Sequence, residues 1–175
     1  MSADGLDRIV ASIDPAMVVV TTAVPGERAG CLVGFHSQSA IDPARYAIWL
    51  SKANHTYRVG LRASHFAVHF LTVDDQRLAE LFGTRTGDDG DKFADLDVAD
   101  GPGGVPLLRA CANRLVARRV ALLDEGGDHV CVTTEVEESG SDAPFEPLRL
   151  SAVEHLTPGH ESEERNLPPT ERAAD

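Results

Sequence analysis

The chain reads as a mainly β protein whose antiparallel strands close, or partly close, into a barrel. Three observations predict this. Short β-branched or apolar runs recur along most of the sequence. Hairpin-length connections separate several of them, with Pro25-Gly26 and Asp124-Glu125-Gly126-Gly127-Asp128 the clearest. Helical periodicity is confined to a few brief stretches. The 175 residues and 42% apolar content suit one ordinary domain, able to bury roughly 70% of its unfolded surface without a disulfide or metal.

In chain order, Leu6, Ile9, Val10 and Ile13 fall at helical spacing, with Asp4 able to cap a short amphipathic helix that Asp14-Pro15 ends. Residues 17–23 and 29–35 read as two strands joined at Pro25-Gly26. Residues 46–51 and 66–72 are two more. Between them, residues 54–64 form a short helix with Asn54 as N-cap and Tyr57, Val59 and Leu61 on its buried side. A second helix over 74–82 turns Leu78, Leu81 and Phe82 inward, and residues 83–90 make a glycine-rich charged loop. The long runs 113–123 and 130–137 form a late hairpin, and 148–156 is a candidate last strand. The domain therefore occupies 1–156. Residues 157–175, polar and with prolines at 158, 168 and 169, are expected to be a disordered tail.

The net charge of −12 repels phosphate backbones and anionic lipid, which argues against nucleic-acid and membrane partners. It also means that any nucleotide site must build its own local positive potential. No apolar run reaches the ~20 residues of a membrane helix, and the start, MSADGLDRIVASID, has no secretory pattern. Cys31, Cys111 and Cys131 are odd in number and widely spaced, so buried thiols in a reducing cytoplasm are expected.

Three segments can carry chemistry. Gly34-Phe35 leads into the polar run His36, Ser37, Gln38, Ser39 and Ala40, ahead of Asp42-Pro43. Such a run offers backbone N–H groups and hydroxyls to the rim of a planar heteroaromatic ligand, or simply caps its own loop. Lys52-Ala53-Asn54-His55-Thr56 stands where a strand meets a helix, so free N–H groups, a hydroxyl and an ammonium can meet a phosphate. Ordinary capping by Asn54 explains the same residues. Gly126-Gly127-Asp128-His129 places an imidazole beside a carboxylate at the mouth of the late hairpin, although turn chemistry accounts for the first three. His65 and His69 share one strand face at a spacing that can hold metal, but no third ligand lies nearby in sequence. Lys92-Phe93 either closes over a ligand or anchors its loop.

Taken in order, these segments resemble the flavin reductase-like family of FMN-binding split β-barrels. The resemblance runs from residue 14 to residue 155. Its markers are Val18-Val19-Val20-Thr21-Thr22, the stretch from Gly34 to Ser39 with Ile41-Asp42-Pro43, Lys52 to Thr56, Lys92-Phe93, Gly104-Val105-Pro106, and Gly127-Asp128-His129 leading to Glu135-Val136. The family often has Asn where this chain has His69.

The resemblance implies an antiparallel split barrel with short peripheral helices. It also implies a homodimer whose flavin lies near the subunit interface. By position, His36, Ser37, Gln38, Ser39 and Ala40 would border the isoalloxazine, while Asn54, His55 and Thr56, supported by Lys52, would hold the phosphate. Phe82 and Gly83 match a cofactor-lining turn, and His129 matches a position near the nicotinamide. The implied reaction is hydride transfer from NADH or NADPH to the N5 atom of FMN or FAD, with a flavin-dependent monooxygenase as a partner for the reduced flavin. Two alternatives stand beside it: a flavin-binding protein without free-flavin turnover, and a split barrel that binds haem through His36, His55, His65 or His69.

Overall fold

Seven antiparallel strands form one curled sheet in the computed structural model, which describes residues 3–87 and 90–159. The strands are β1 (Val18–Val24), β2 (Glu27–Val33), β3 (His36–Ala40), β4 (Arg45–Ser51), β5 (His65–Phe70), β8 (Arg114–Leu123) and β9 (His129–Gly140). Their spatial order is β2-β1-β5-β8-β9-β4-β3. A small ladder of β6 (Val98–Asp100) and β7 (Pro106–Leu108) lies apart. The helices are α1 (Ala3–Ile13), α2 (His55–Gly60) and α3 (Gln76–Thr84).

Side chains alternate across the sheet, and that alternation builds two cores. Val18 and Val20, Cys31 and Val33, Ile48 and Leu50, Phe66 and Val68, and Val132 pack on the concave side. Val19, Leu71, Leu78, Phe82, Phe93, Leu108 and Leu148 pack on the convex side beneath α3 and the C-terminal segment. Strand β1 is therefore covered on both faces, and its sequence is an unbroken apolar and Thr run rather than an alternating one. Consecutive in sequence, β2 and β3 nonetheless stand at opposite edges of the sheet. The barrel is split between them, as the fold class predicted.

Several expectations need correction. Helix α1 begins at Ala3, so Asp4 lies inside it rather than at its cap. Its apolar residues Leu6, Ile9 and Ile13 remain 60–66% exposed. Helix α2 ends at Gly60. Its buried residues are Thr56, Val59 and Gly60, while Leu61 is exposed because it falls just past the last turn. The glycine-rich loop starts later than expected, since Gly83 and Thr84 complete α3. Residues 148–156 do not add a strand. They make a single bridge at Ala16–Arg149 and a 3-10 turn at Leu150–Ala152, with another single bridge just before them at Thr72–Pro147. Strand β3 was not expected at all. Of the expected tail, residues 160–175 lie outside the described residues. No helix among the described residues is long and apolar enough to cross a membrane.

Candidate functional site

The site is built by the pairing of β3, β4 and β9. Register sets Ser37 opposite Ala47, Trp49 opposite Cys131 and Ser51 opposite His129. The Trp49 amide donates to the Phe35 carbonyl at 2.9 Å. Residues directly opposite share a face, so Phe35, Ser37, Trp49, Ser51 and His129 all emerge on the convex side. Of these, Phe35 is 54% exposed, while Trp49, Ser51 and His129 are half-buried. The Phe35 and His129 rings stand 5.1 Å apart, tilted by 59°.

The expected ring-bordering run divides by strand parity. His36 turns to the concave side and is sewn into the barrel. Its Nε2 donates to the Ala16 carbonyl at 2.8 Å, which leaves Nδ1 to accept from the Tyr46 hydroxyl at 2.7 Å. The ring stacks on Tyr46 and meets the edge of Phe70. Burial holds its pKa below the usual histidine value, against the opposing effect of the Ala16 carbonyl, and burial pushes the Tyr46 phenol up to about 12. Ser37, Gln38 and Ser39 are exposed. The ladder shifts register between Gln38 and Ala40, leaving Ser39 as a bulge. Because β3 is an edge and Phe35 bonds to Trp49, the alternation of an antiparallel ladder turns the backbone groups of His36 and Gln38 toward the free side.

The second segment lies next to this edge. The Lys52 ammonium donates to Asp124 Oδ1 at 2.8 Å, and the Lys52 amide donates to the Asp128 carbonyl at 2.9 Å. These bonds tie the start of α2 to the late hairpin. The Lys52 contact and the Gly126 amide hold the Asp124 carboxyl below the usual range. His129 Nδ1 stands 2.9 Å from Asp128 Oδ1, which orients its ring. Asn54 occupies the N-cap of α2, but its side chain makes no capping bond. His55 faces away from Lys52 and reaches Glu27 Oε1 at 3.3 Å. Thr56 is 1% exposed and hydrogen-bonds the Cys31 thiol in the core.

Other predicted residues lie elsewhere. Phe82 is 2% exposed and packs edge-to-face on Phe93, under Gly30. Gly83 fits against Leu32. Lys92 and Phe93 are both buried, with the ammonium donating to the Gly30 carbonyl at 3.0 Å, so they anchor their loop. His65 and His69 do share a face, yet each has both ring nitrogens engaged. His65 meets Ser64 and Glu137, and His69 meets the Val19 carbonyl and the Leu108 amide. No cluster suited to a metal ion occurs among the described residues. Cys31 and Cys111 are buried as expected, whereas Cys131 is partly exposed beside Trp49.

Two residues escaped sequence reasoning. Trp49, the sole tryptophan, is central to the open face. Ser51 carries a buried hydroxyl with no hydrogen-bond partner, an orphan that marks a place where polar chemistry is unfinished. Alternation within residues 46–51 could have found both, since it puts Tyr46, Ile48 and Leu50 on one side and Ala47, Trp49 and Ser51 on the other.

The chain resembles known proteins in both sequence and fold. Residues 11–151 match the family model of the flavin reductase like domain. An FMN reductase (NADH), SmoA, from Agrobacterium fabrum is 32% identical over 120 residues, which cover 69% of this chain and 66% of that protein. The chain thus matches just under two thirds of that reductase's length. In fold it is similar to the NADH:FAD oxidoreductase SgcE6 of Streptomyces globisporus C-1027, with TM-score 0.71 and 22% identity over 84% of this chain and 90% of that one. It is also similar to a nitrilotriacetate monooxygenase component B from Mycobacterium thermoresistibile, with TM-score 0.69 and 21% identity over 98% and 96% of the two chains. With four fifths of its length matched, from the first strand through the late hairpin, the chain belongs to the flavin reductase-like domain family.

Proposed function

We propose that this chain is an NAD(P)H-dependent flavin reductase that holds FMN or FAD on the open face of β3, β4 and β9. The observation that carries this reading is the edge strand β3 standing beside the Lys52–His129 cluster. An isoalloxazine rim needs alternating donors and acceptors, and the outward backbone groups of His36 and Gln38, with the Ser37 and Ser39 hydroxyls and Ala40 at the strand's end, offer them once the exposed contacts of the Ser37 hydroxyl with the Gln38 carbonyl and of the Gln38 amide with the Ala40 carbonyl give way to the ligand. Ser51 adds an unpartnered hydroxyl, and Lys52, whose ammonium is shared with Asp124, brings a cation to the same rim. These residues fit the group.

Bound flavin supplies the hydride acceptor of the reaction. The chain's own work is to bind and orient. Lys52, Asn54 and His55 flank the phosphate, with Thr56 acting behind them by fixing the first turn of α2 against Cys31. Phe82 and Gly83 act likewise from below, by shaping β2. His129, oriented by Asp128 and packed on Phe35, lies where a nicotinamide ring would stack over the open face. No strong acid or base is needed, and none converges there. The engaged nitrogens of His36, His65 and His69 weigh against the haem reading.

The row of exposed Phe35 and Leu123 with half-buried Trp49 and Cys131 between them, and the exposed apolar residues of α1, support a homodimer that closes over this site. A cytoplasmic protein passing reduced flavin to a monooxygenase completes the proposal. The test is a visible spectrum of the purified chain, followed by NADH in air with excess FMN. Flavin bands and rapid NADH oxidation are expected. A bound flavin that stays oxidised under NADH would leave only a carrier or sensor, and a Soret band would revive the haem alternative.

A further inference from the structure

Past His55, away from the open face, lies a cavity of about 940 Å³. It opens between the β1–β2 turn, the start of α2, residues 90–93 and the Pro102–Gly104 turn. Among the described residues, His55 is the one it shares with the proposed flavin site; none of Ser37, Lys52 or His129 lines it. The volume falls at the upper end of the roughly 300–1,000 Å³ of small-molecule sites.

Its chemistry is that of a nucleoside. The Arg28 guanidinium lies over the Phe93 ring, 5.2 Å from the centroid, and Asp91 pins it there at 2.6 Å. A guanidinium pinned in place, with its side chain 38% exposed, is a planar cation on which a base can stack. Gly26, Gly90 and Gly104 all have positive φ, and a Cβ on any of them would meet open space. That part of the wall is bare backbone, which lets a ligand approach closely. Glu27 and Asp100 put carboxylates on the lining, which suits vicinal ribose hydroxyls and opposes a 2′-phosphate. Arg62 and His55 hold Glu27 in place.

We propose that this cavity receives the adenosine end of a dinucleotide. The inference rests on the flavin reading above and extends it. The adenosine diphosphate group is common to FAD and NADH, and the experiment distinguishes the two. The full chain, freed of flavin, is titrated with ADP, FMN and FAD by calorimetry, as wild type, Arg28→Ala and Arg28→Lys. Steady-state turnover of NADH is measured on the same proteins.

ADP binding is expected, weakened about tenfold in Arg28→Ala and also weakened in Arg28→Lys, which keeps the charge but not the plane. FMN affinity stays unchanged. If the source is FAD, its affinity falls with that of ADP. If the source is NADH, its KM rises while kcat and both flavin affinities hold. A second variant, Asp100→Asn, is expected to narrow the wild-type preference for ADP over adenosine 2′,5′-bisphosphate. Absence of ADP binding overturns the proposal, and so does an equal loss of FMN affinity in Arg28→Ala, which would make the cavity part of the FMN site. Arg28-dependent ADP binding in a chain that binds no FMN would sink the reductase reading and leave this one standing.

Discussion

Replacing His69 by asparagine removes a fully buried imidazole while leaving a donor and an acceptor in its place. The ring joins three elements: Nδ1 donates to the Val19 carbonyl of β1 at 3.2 Å, and Nε2 accepts the Leu108 amide of β7 at 3.1 Å. Protonation would turn Nε2 into a donor facing another donor. Burial holds the pKa down at about 4, against an ordinary value of 6.5. With the folded pKa depressed, both states are neutral above pH 6.5, and the full stability is present there. As pH falls below 6.5 the unfolded chain takes up a proton that the folded chain refuses, so stability drains away until about pH 4. The gap of 2.5 units (6.5 − 4) corresponds to about 3 kcal/mol in the acid limit. At pH 5.5, still above the isoelectric point near 4.9, the loss is about 1.4 kcal/mol. Urea unfolding of wild type and His69→Asn, followed by Trp49 emission at pH 8 and pH 5.5, isolates this contribution, because His36 and the carboxylates cancel in the difference. The asparagine protein carries a constant cost for its smaller side chain, and its deficit should shrink by the ~1.4 kcal/mol that wild type loses at pH 5.5. A deficit equal at both pH values would refute the neutral, backbone-clamped imidazole.

Four further outcomes are expected. Saturating FMN should quench most of the Trp49 emission, since the ring would lie on the same face; unquenched emission would put the flavin elsewhere. Lys52→Ala should weaken FMN by at least about tenfold through loss of a charge-assisted contact, with an unchanged Kd assigning the phosphate to other residues. Gly30→Ala would set a Cβ 2.8 Å from the Phe82 ring and 3.2 Å from Phe93, costing about 1–3 kcal/mol by overpacking, readable as a lower urea midpoint. A thiol reagent on the native protein should label Cys131 ahead of the buried Cys31 and Cys111, and Cys131→Ser should abolish the fast phase; a fast phase that survives would contradict the placement of that thiol.

Local pattern carries much of this molecule. The β-branched runs and their punctuating turns mark β1, β2, β4, β5, β8 and β9 to within a few residues, because strand preference and turn chemistry are short-range properties. The run His36-Ser37-Gln38-Ser39-Ala40 has neither apolar alternation nor β-branched residues, so its pairing with β4 was invisible until β4 was in place. The family resemblance assigns Lys52 and His55 to a phosphate and His129 to a nicotinamide, and the register of β4 on β9 brings Lys52 and His129 to the same rim. His55 instead turns toward Glu27.

Burial is where local reading ran out. Thr56, Phe82, Lys92 and His36 look equally available in a string of letters, yet each is enclosed by residues distant in sequence: Cys31, Phe93, Gly30 and Ala16 respectively. Parity along a strand can be counted in advance, but which side faces a core depends on what packs against it. The curled sheet, with β2 and β3 parted at its edges, settles that question. It buries the alternating residues of one face, leaves Phe35 exposed on the other and keeps Trp49, Ser51 and His129 there only half-covered, an outcome of long-range contacts that no window of neighbouring residues contains.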